Sequence, residues 1–336
     1  MERQLRSAAA SDTIYTAAWR FLGVSVQTAA PDRRCITALE RGMGTRCADG
    51  MVSEGNAVLR IAVRLDERWQ EQSWLADVRW LWSAHGHRLG RIGDDAVVLL
   101  EGMGVARLLQ SEGVIDVSGN GRLAEDTYVF NDVLVTPLLH SAMARWGWVA
   151  VHACAMEHVG SGILIVAASG GGKSTLALAL LRAGWRLVAD DRVLLRADGD
   201  GVVAWGTVEL PRISPGTFHL FPDLARLERT GRTSGGKWEY DPRMLFGDCV
   251  IPWVRVEHLV LPQIKETDVS SFHRADAVVV LKELLAATEF GAYGAARSQA
   301  FQVLSQMVAQ SRLWHLHFGR DVQHIGELFA RSPLTS

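Results

Sequence analysis

From Ile163 to Ala168 the chain is apolar without a break, and after Lys173 the apolar residues Leu176, Ala177, Leu180 and Leu181 recur at helical spacing. The pattern predicts a buried strand and then a helix, joined by Ser169-Gly170-Gly171-Gly172-Lys173-Ser174-Thr175. Arg186 to Ala189 reads as a second short buried strand, and it runs into Asp190-Asp191. Upstream, Asn131 or Asp132 is a candidate cap for a helix reaching about Trp146, with Val133, Leu134, Leu138, Leu139 and Met143 apolar and Gly147 as its stop. Trp148 to Met156 then alternates, which predicts one strand with His152, Cys154 and Met156 on a common face.

Residues 1–125 carry a different pattern. Val58 to Leu65 mixes apolar and basic residues at strand spacing, and Ala96 to Leu100, Gly104 to Leu109 and Gly113 to Val117 are short apolar runs separated by glycine, the signature of a meander. Trp69, Trp74, Trp80 and Trp82 crowd the stretch between them, which reads as core and interface packing ahead of a ligand platform. This predicts a β-rich N-terminal domain over 1–125, serving substrate recognition or an oligomer contact, and a second domain over 126–336.

Beyond the paired aspartates, Val193 to Ala197 and Val202 to Trp205 flank Asp198-Gly199-Asp200-Gly201, a hairpin signal. Pro211, Pro215 and Pro222 make the next stretch mostly loop, with Glu209 as a candidate second metal ligand and Arg212 as a candidate transition-state cation or solvated base. Thr230 to Asp241 is polar, glycine-rich and basic, so it reads either as a surface hairpin or as a lid bringing Arg232 or Lys237 onto a phosphate. Val256 to Leu261 and Ala277 to Leu281 suggest strands or strand-to-helix entries, while Leu284 to Ala287, Ala295 to Gln310 and Asp321 to Ala330 suggest helices. Trp314 to Phe318 alternates as a strand, with His315 and His317 on one face but no Cys or carboxylate group to complete a metal site.

Composition narrows the classes. With 336 residues, 48% hydrophobic and 21% charged, the chain is of ordinary globular make-up and long enough for two domains. A net charge of −2 gives no electrostatic case for nucleic acid or an anionic membrane as partner. Cys35, Cys47, Cys154 and Cys249 are scattered without a C-x-x-C pair, which reads as free thiols in a reducing compartment. With no signal-peptide core and no run of transmembrane length, a cytoplasmic location is expected.

The candidate chemistry sits at the glycine loop. A phosphate chain needs many donors and few obstructing side chains; glycines turn successive N–H groups inward, and the helix that follows adds its unpaired N–H groups and positive dipole end. Backbone N–H groups of Ser169, Gly170, Gly171, Gly172 and Lys173 would then hold the β-phosphate, with Lys173 reaching the β- and γ-phosphates and the Ser174 hydroxyl, beside Thr175, on Mg²⁺. The run ends as a Walker A motif, with Ala167 at the place of its first glycine. Ligands of open α/β sheets sit outside the carboxyl ends of the strands, so Asp190 and Asp191 fall at the same edge. One can hold Mg²⁺ and the other can accept a hydroxyl proton, and the sequence does not divide these roles.

Together, His152 to Glu157 (HACAME), Ala167 to Ser174 (AASGGGKS) and Arg186 to Val193 (RLVADDRV) resemble the core of the HPr serine kinase family and its related branches. The resemblance is dense from about Val149 to Leu195. It departs from the family pattern at Ala167 and at Thr175, where glutamate is usual. It implies an α/β fold with a P-loop kinase core of the phosphoenolpyruvate-carboxykinase/HPr-kinase type, behind the β-rich N-terminal domain. It also implies ATP- and Mg²⁺-dependent phosphorylation of a serine hydroxyl in a peptide or protein, a ribosomally made peptide being one acceptor class, with a homo-oligomer as a further expectation. By position, Asp190, Asp191, His152 and Lys173 would be catalytic and Ser174 and Asp190 would hold metal, with Glu209 the further metal candidate read from its own loop.

Overall fold

The computed structural model describes residues 13–43, 57–84, 86–168, 170–199, 201–206, 210–221, 237–288 and 295–332. The chain divides into two compact units, Met1–Trp146 and Gly147–Ser336.

The first unit is built on one eight-stranded sheet. Its strands are β1 (Tyr15–Phe21), β2 (Val24–Ala30), β3 (Val58–Leu65), β4 (Arg79–Ala84), β5 (His87–Ile92), β6 (Asp95–Leu100), β7 (Gly104–Leu109) and β8 (Val114–Gly119), in the spatial order β1-β2-β3-β8-β7-β6-β5-β4. The meander of β4 to β8 is antiparallel throughout, whereas β3 lies parallel to both β2 and β8. With neighbours on both sides, β3 buries Leu59, Ile61 and Val63 completely. Trp69, Trp74 and Trp80 pack on the cluster of Leu75, Val78, Val97, Leu99 and Val105, and Trp82 stays half exposed.

The helical segment of this unit starts earlier than its sequence suggests. Asp126, not Asn131 or Asp132, supplies the cap, its Oδ1 accepting from Val129 N at 3.0 Å. A wide π-type turn over Val129–Val135 precedes the α-helix Thr136–Met143, and the segment closes in a tight turn at Ala144–Trp146. The helix packs on β6 and β7, so the unit boundary falls between Trp146 and Gly147 rather than at 125.

The second unit is a sheet with helices on both faces. In the order β12-β10-β11-β17-β14-β13-β9, its strands are β9 (Val149–Val151), β10 (Cys154–His158), β11 (Ser161–Ile165), β12 (Arg186–Ala189), β13 (Val193–Asp198), β14 (Gly201–Gly206) and β17 (Trp253–Ile264). β19 (Arg312–Phe318) extends it from β17 and carries β18 (Ser271–Arg274), and β15 (Arg212–Ile213) with β16 (Trp238–Glu239) forms a separate two-stranded ladder. On one face the helices Lys173–Arg182 and Ile325–Ala330, the latter through Ile325 and Phe329, share a core with Ile163, Ile165 and Trp185. On the other, the helices Ala277–Ala286 and Ala295–Gln310 cover Leu164, Leu259 and Leu261, the first of them through its own Val280 and Leu284. β12 and β11 both run antiparallel to β10, and β17 and β19 run parallel to β11, so four carboxyl ends share one edge.

One expectation changes here and one narrows. Trp148 to Met156 is two strands, because β9 pairs with β13 while β10 pairs with β11 and β12, and the chain breaks at His152-Ala153 between the two partnerships. Ala277 to Leu281 is the first turns of a helix: Asp276 Oδ1 accepts from Val278 N at 2.8 Å and Val279 N at 3.3 Å, and that cap overrides the β-branched run. His315 and His317 engage Gln263 at 3.4 Å and the His273 ring at 4.3 Å, and among the described residues no group of three or more His, Cys, Asp or Glu could hold a metal ion. The β13–β14 hairpin forms as its turn signal predicts.

Among the described residues no helix is long and apolar enough to cross a membrane. Cys35, Cys154 and Cys249 are buried and unbonded, and Cys47 lies outside the described residues.

Candidate active site

The apolar run of β11 is fully buried, and the chain leaves it at Val166 to form the glycine loop. Gly170 and Gly172 take φ values of +80° and +89°, a region that side chains strain. Gly171 is required for space instead: a Cβ there would lie 2.7 Å from the Ala167 Cβ and 3.0 Å from the Ala168 carbonyl oxygen. The methyl of Ala167 is therefore accommodated because position 171 has none. Gly172 caps the helix Lys173–Arg182, whose first regular bond runs from Leu176 N to Gly172 O at 2.9 Å. Ser169 lies outside the described residues.

Lys173 is buried, and its Nζ donates back to the loop carbonyls of Ala167 at 2.6 Å and Ala168 at 3.4 Å. Burial lowers its proton affinity, partly offset by Asp191 and Asp190, with Lys237 adding a smaller push downward. Lys237, at the end of the basic stretch, is thus within electrostatic range of the loop. Thr175 Oγ1 lies 3.3 Å from Thr217 Oγ1, which lies 3.2 Å from Ser214 Oγ.

The two aspartates share an edge with the loop but occupy opposite environments. Asp190 is buried, bonded to the Ser174 side chain and to the Arg212 backbone N–H. Burial first, and the charge of Asp191 second, push its carboxyl up from 3.8 to about 6. Asp191 is about one-third exposed, its Oδ1 3.2 Å from His152 Nδ1 and its Oδ2 3.3 Å from Arg212 Nη2. Burial pushes it upward too, but the His152 contact and the charges of Arg192 and Arg212 outweigh this and hold it well below the usual carboxylate range.

The strand break delivers His152 to this edge. Its N–H donates to Ala287 O at 2.8 Å, and Ala153 N donates to Asp191 O at 3.1 Å, so backbone bonds set the imidazole and the Asp191 carboxylate side by side. Arg212 is aimed by the β15–β16 ladder, in which it opposes Glu239. The sequence offers Arg212 as a transition-state cation or a solvated base in a proline-rich loop; its partner, Asp191, is what folding adds. Glu209 and Arg232 lie outside the described residues.

One atom fits a cation. Among the described residues Asp190 Oδ1 is buried without a hydrogen-bond partner, in a carboxyl whose other contacts include the Ser174 hydroxyl. A hydroxyl and a carboxylate suit Mg²⁺, which keeps water and phosphate oxygens as its remaining ligands. Ser174 and Asp190 are the residues that would hold it.

The stretch that forms this edge has known relatives. Residues 147–209 match the family model described as the HPr serine kinase C-terminal domain. An HPr kinase/phosphorylase of Exiguobacterium sibiricum is 48% identical over 54 residues, covering 16% of this chain and 17% of that protein. One of Lactobacillus acidophilus is 38% identical over 93 residues, 27% of each chain. The chain thus spans about a quarter or less of the length of these relatives. The structure of the HPr(Ser) kinase/phosphatase from Coxiella burnetii aligns at 16% identity with a TM-score of 0.31, over 55% of this chain and 97% of that one, a likeness too low to carry weight. The similarity to HPr kinases, as the family model matches it, covers residues 147–209, the stretch that holds His152, the glycine loop and both aspartates.

Proposed function

We propose that this chain is an ATP-dependent kinase that transfers a γ-phosphoryl group to a serine hydroxyl of a peptide or protein, on a P-loop of the phosphoenolpyruvate-carboxykinase/HPr-kinase type. The observation that carries the reading is a single sheet edge holding a glycine loop with Lys173 and Ser174 and two aspartates of opposed proton affinity. The relatives' names point to a protein acceptor.

The two acids divide by surroundings. Asp190, buried against Ser174, belongs to the metal side; Mg²⁺ when bound would supply charge neutralisation on the phosphates, with Glu209 a further candidate ligand. Asp191, partly exposed and bonded to His152 and Arg212, belongs to the acceptor side. Its low proton affinity keeps it ionised at neutral pH, which suits accepting a hydrogen bond from the attacking hydroxyl. In the loose transition state of phosphoryl transfer, orientation of the nucleophile matters more than early removal of its proton. Lys173 leaves the carbonyls of Ala167 and Ala168 to meet phosphate oxygens, and Lys237 is the candidate cation from the far side. The N-terminal unit serves acceptor recognition or self-association.

Incubating the full chain with γ-labelled ATP, Mg²⁺ and cell extract tests this. Label entering a peptide or protein, abolished by Lys173→Ala and reduced at least a hundredfold by Asp191→Asn, is the expected result. Label only in a small metabolite would move the acceptor class, and nucleotide binding without transfer or hydrolysis would remove the enzyme.

A further inference from the structure

The glycine loop accounts for the phosphates of a nucleoside triphosphate and leaves its base unassigned. The aspartates lie on one side of the loop, beyond β10 on β12, and the transferable phosphate must face them. On the other side β17 and β19 run parallel to β11 and end at the same edge. Phosphates laid across the helix N-terminus in that direction send the nucleoside over the ends of β17 and β19.

That ground is apolar and firmly held. Ile264 and Phe318 are the last residues of β17 and β19 and are direct cross-strand partners. A Cβ on Gly172 would lie 3.6 Å from Phe318 Cδ1 and 3.9 Å from Ile264 Cδ1, so both side chains flank the loop at its helix end. Phe318 is buried, but Ile264 is 64% exposed, although isoleucine is among the residues most often fully buried. The chain behind them is tied down. Lys265 N donates to Phe318 O at 3.0 Å and Arg320 N to Thr267 O at 2.9 Å, while the Asp321 carboxylate accepts from Ser270 N at 2.9 and 3.0 Å. Gly319 N donates to Ser270 Oγ at 2.9 Å.

We propose that Ile264, backed by Phe318, is the platform on which the nucleobase of the bound nucleoside triphosphate lies. The inference rests on the phosphate-site reading above. A flat heteroaromatic ring laid on a rigid aliphatic side chain removes apolar area from water on both partners and needs no rearrangement of the chain.

Titration calorimetry of the full chain with two probes, ATP and inorganic tripolyphosphate, each with Mg²⁺, tests it. Ile264→Ser should weaken ATP binding about tenfold and leave tripolyphosphate within about twofold, while Ile264→Leu keeps the affinity for both. Retained tripolyphosphate binding also reports that the serine variant is folded. Unchanged ATP binding in Ile264→Ser, or equal weakening of both probes, overturns the platform and leaves the phosphate site standing. Failure of the unmodified chain to bind either probe overturns both.

Discussion

Asp190 makes a prediction in which stability and function oppose each other. Its carboxyl is buried and holds its proton up to about pH 6, against 3.8 ordinarily. Between those values the folded chain binds the proton that the unfolded chain has released, so stability is full below 3.8 and falls as pH rises through about 6. At about 1.4 kcal/mol per tenfold change in proton affinity, the loss amounts to roughly 3 kcal/mol, reached near neutrality and constant above it. Asp190→Asn removes the ionisation. The new amide must still find partners near the Ser174 hydroxyl and the Arg212 N–H, at a cost of about 1–3 kcal/mol, but that cost does not change with pH. The informative quantity is therefore the stability difference between variant and wild type, followed by denaturant unfolding from pH 4 to 8 without metal or nucleotide. It should shift in favour of the variant by about 2 kcal/mol between pH 4 and 6.5 and then level off, part of the full loss having already occurred by pH 4. Transfer activity should be lost. A difference that stays constant across that range would refute the claim that Asp190 is an acid whose burial outweighs its hydrogen bonds.

Two further changes probe the rest of the edge. Gly171→Ala drives a methyl to within 2.7 Å of the Ala167 Cβ and should weaken ATP binding tenfold or more; adding Ala167→Gly should restore most of it, and a double variant no better than the single would sink the packing account. Arg212→Ala removes one cation from Asp191, whose proton affinity should rise, so the acid limb of the kcat profile should move to higher pH. Its kcat should drop about ten- to a hundredfold with the KM for ATP within about threefold, and an unmoved acid limb would argue against the contact.

What was legible in the sequence is what short-range chemistry decides. The order apolar run, glycines, Lys-Ser, helix is a local signal, and the observed helix begins at Lys173 as that order predicts. The strands from Val58 and Gly104, and the helix from Ala295 to Gln310, were equally readable from their own periodicity. The valine run at 278–280 leaves strand and helix entry both open, because propensity is a weaker term than a side-chain cap, and Asp276 decides for the helix by capping two N–H groups at once. The boundary at 125 erred for a related reason: the helix at Thr136–Met143 has no side-chain feature that assigns it to the sheet before it rather than the sheet after it.

The division of labour between Asp190 and Asp191 could not be read locally, because it depends on what covers each carboxylate. Arg212 reaches Asp191 from far along the chain, on a ladder whose other strand, Trp238–Glu239, lies beyond the long stretch that separates them. His152 reaches it because one predicted strand is two. Were Trp148 to Met156 continuous, β9 and β10 would have to share one set of partners, yet β9 pairs with β13 and β10 with β11 and β12. The break between these partnerships frees the His152 N–H for Ala287 O and the Ala153 N–H for Asp191 O, so the sheet's change of partner brings imidazole and carboxylate together. Long-range pairing thus does at His152 what the glycines do at the loop: it interrupts a regular element where a reactive group has to face outward.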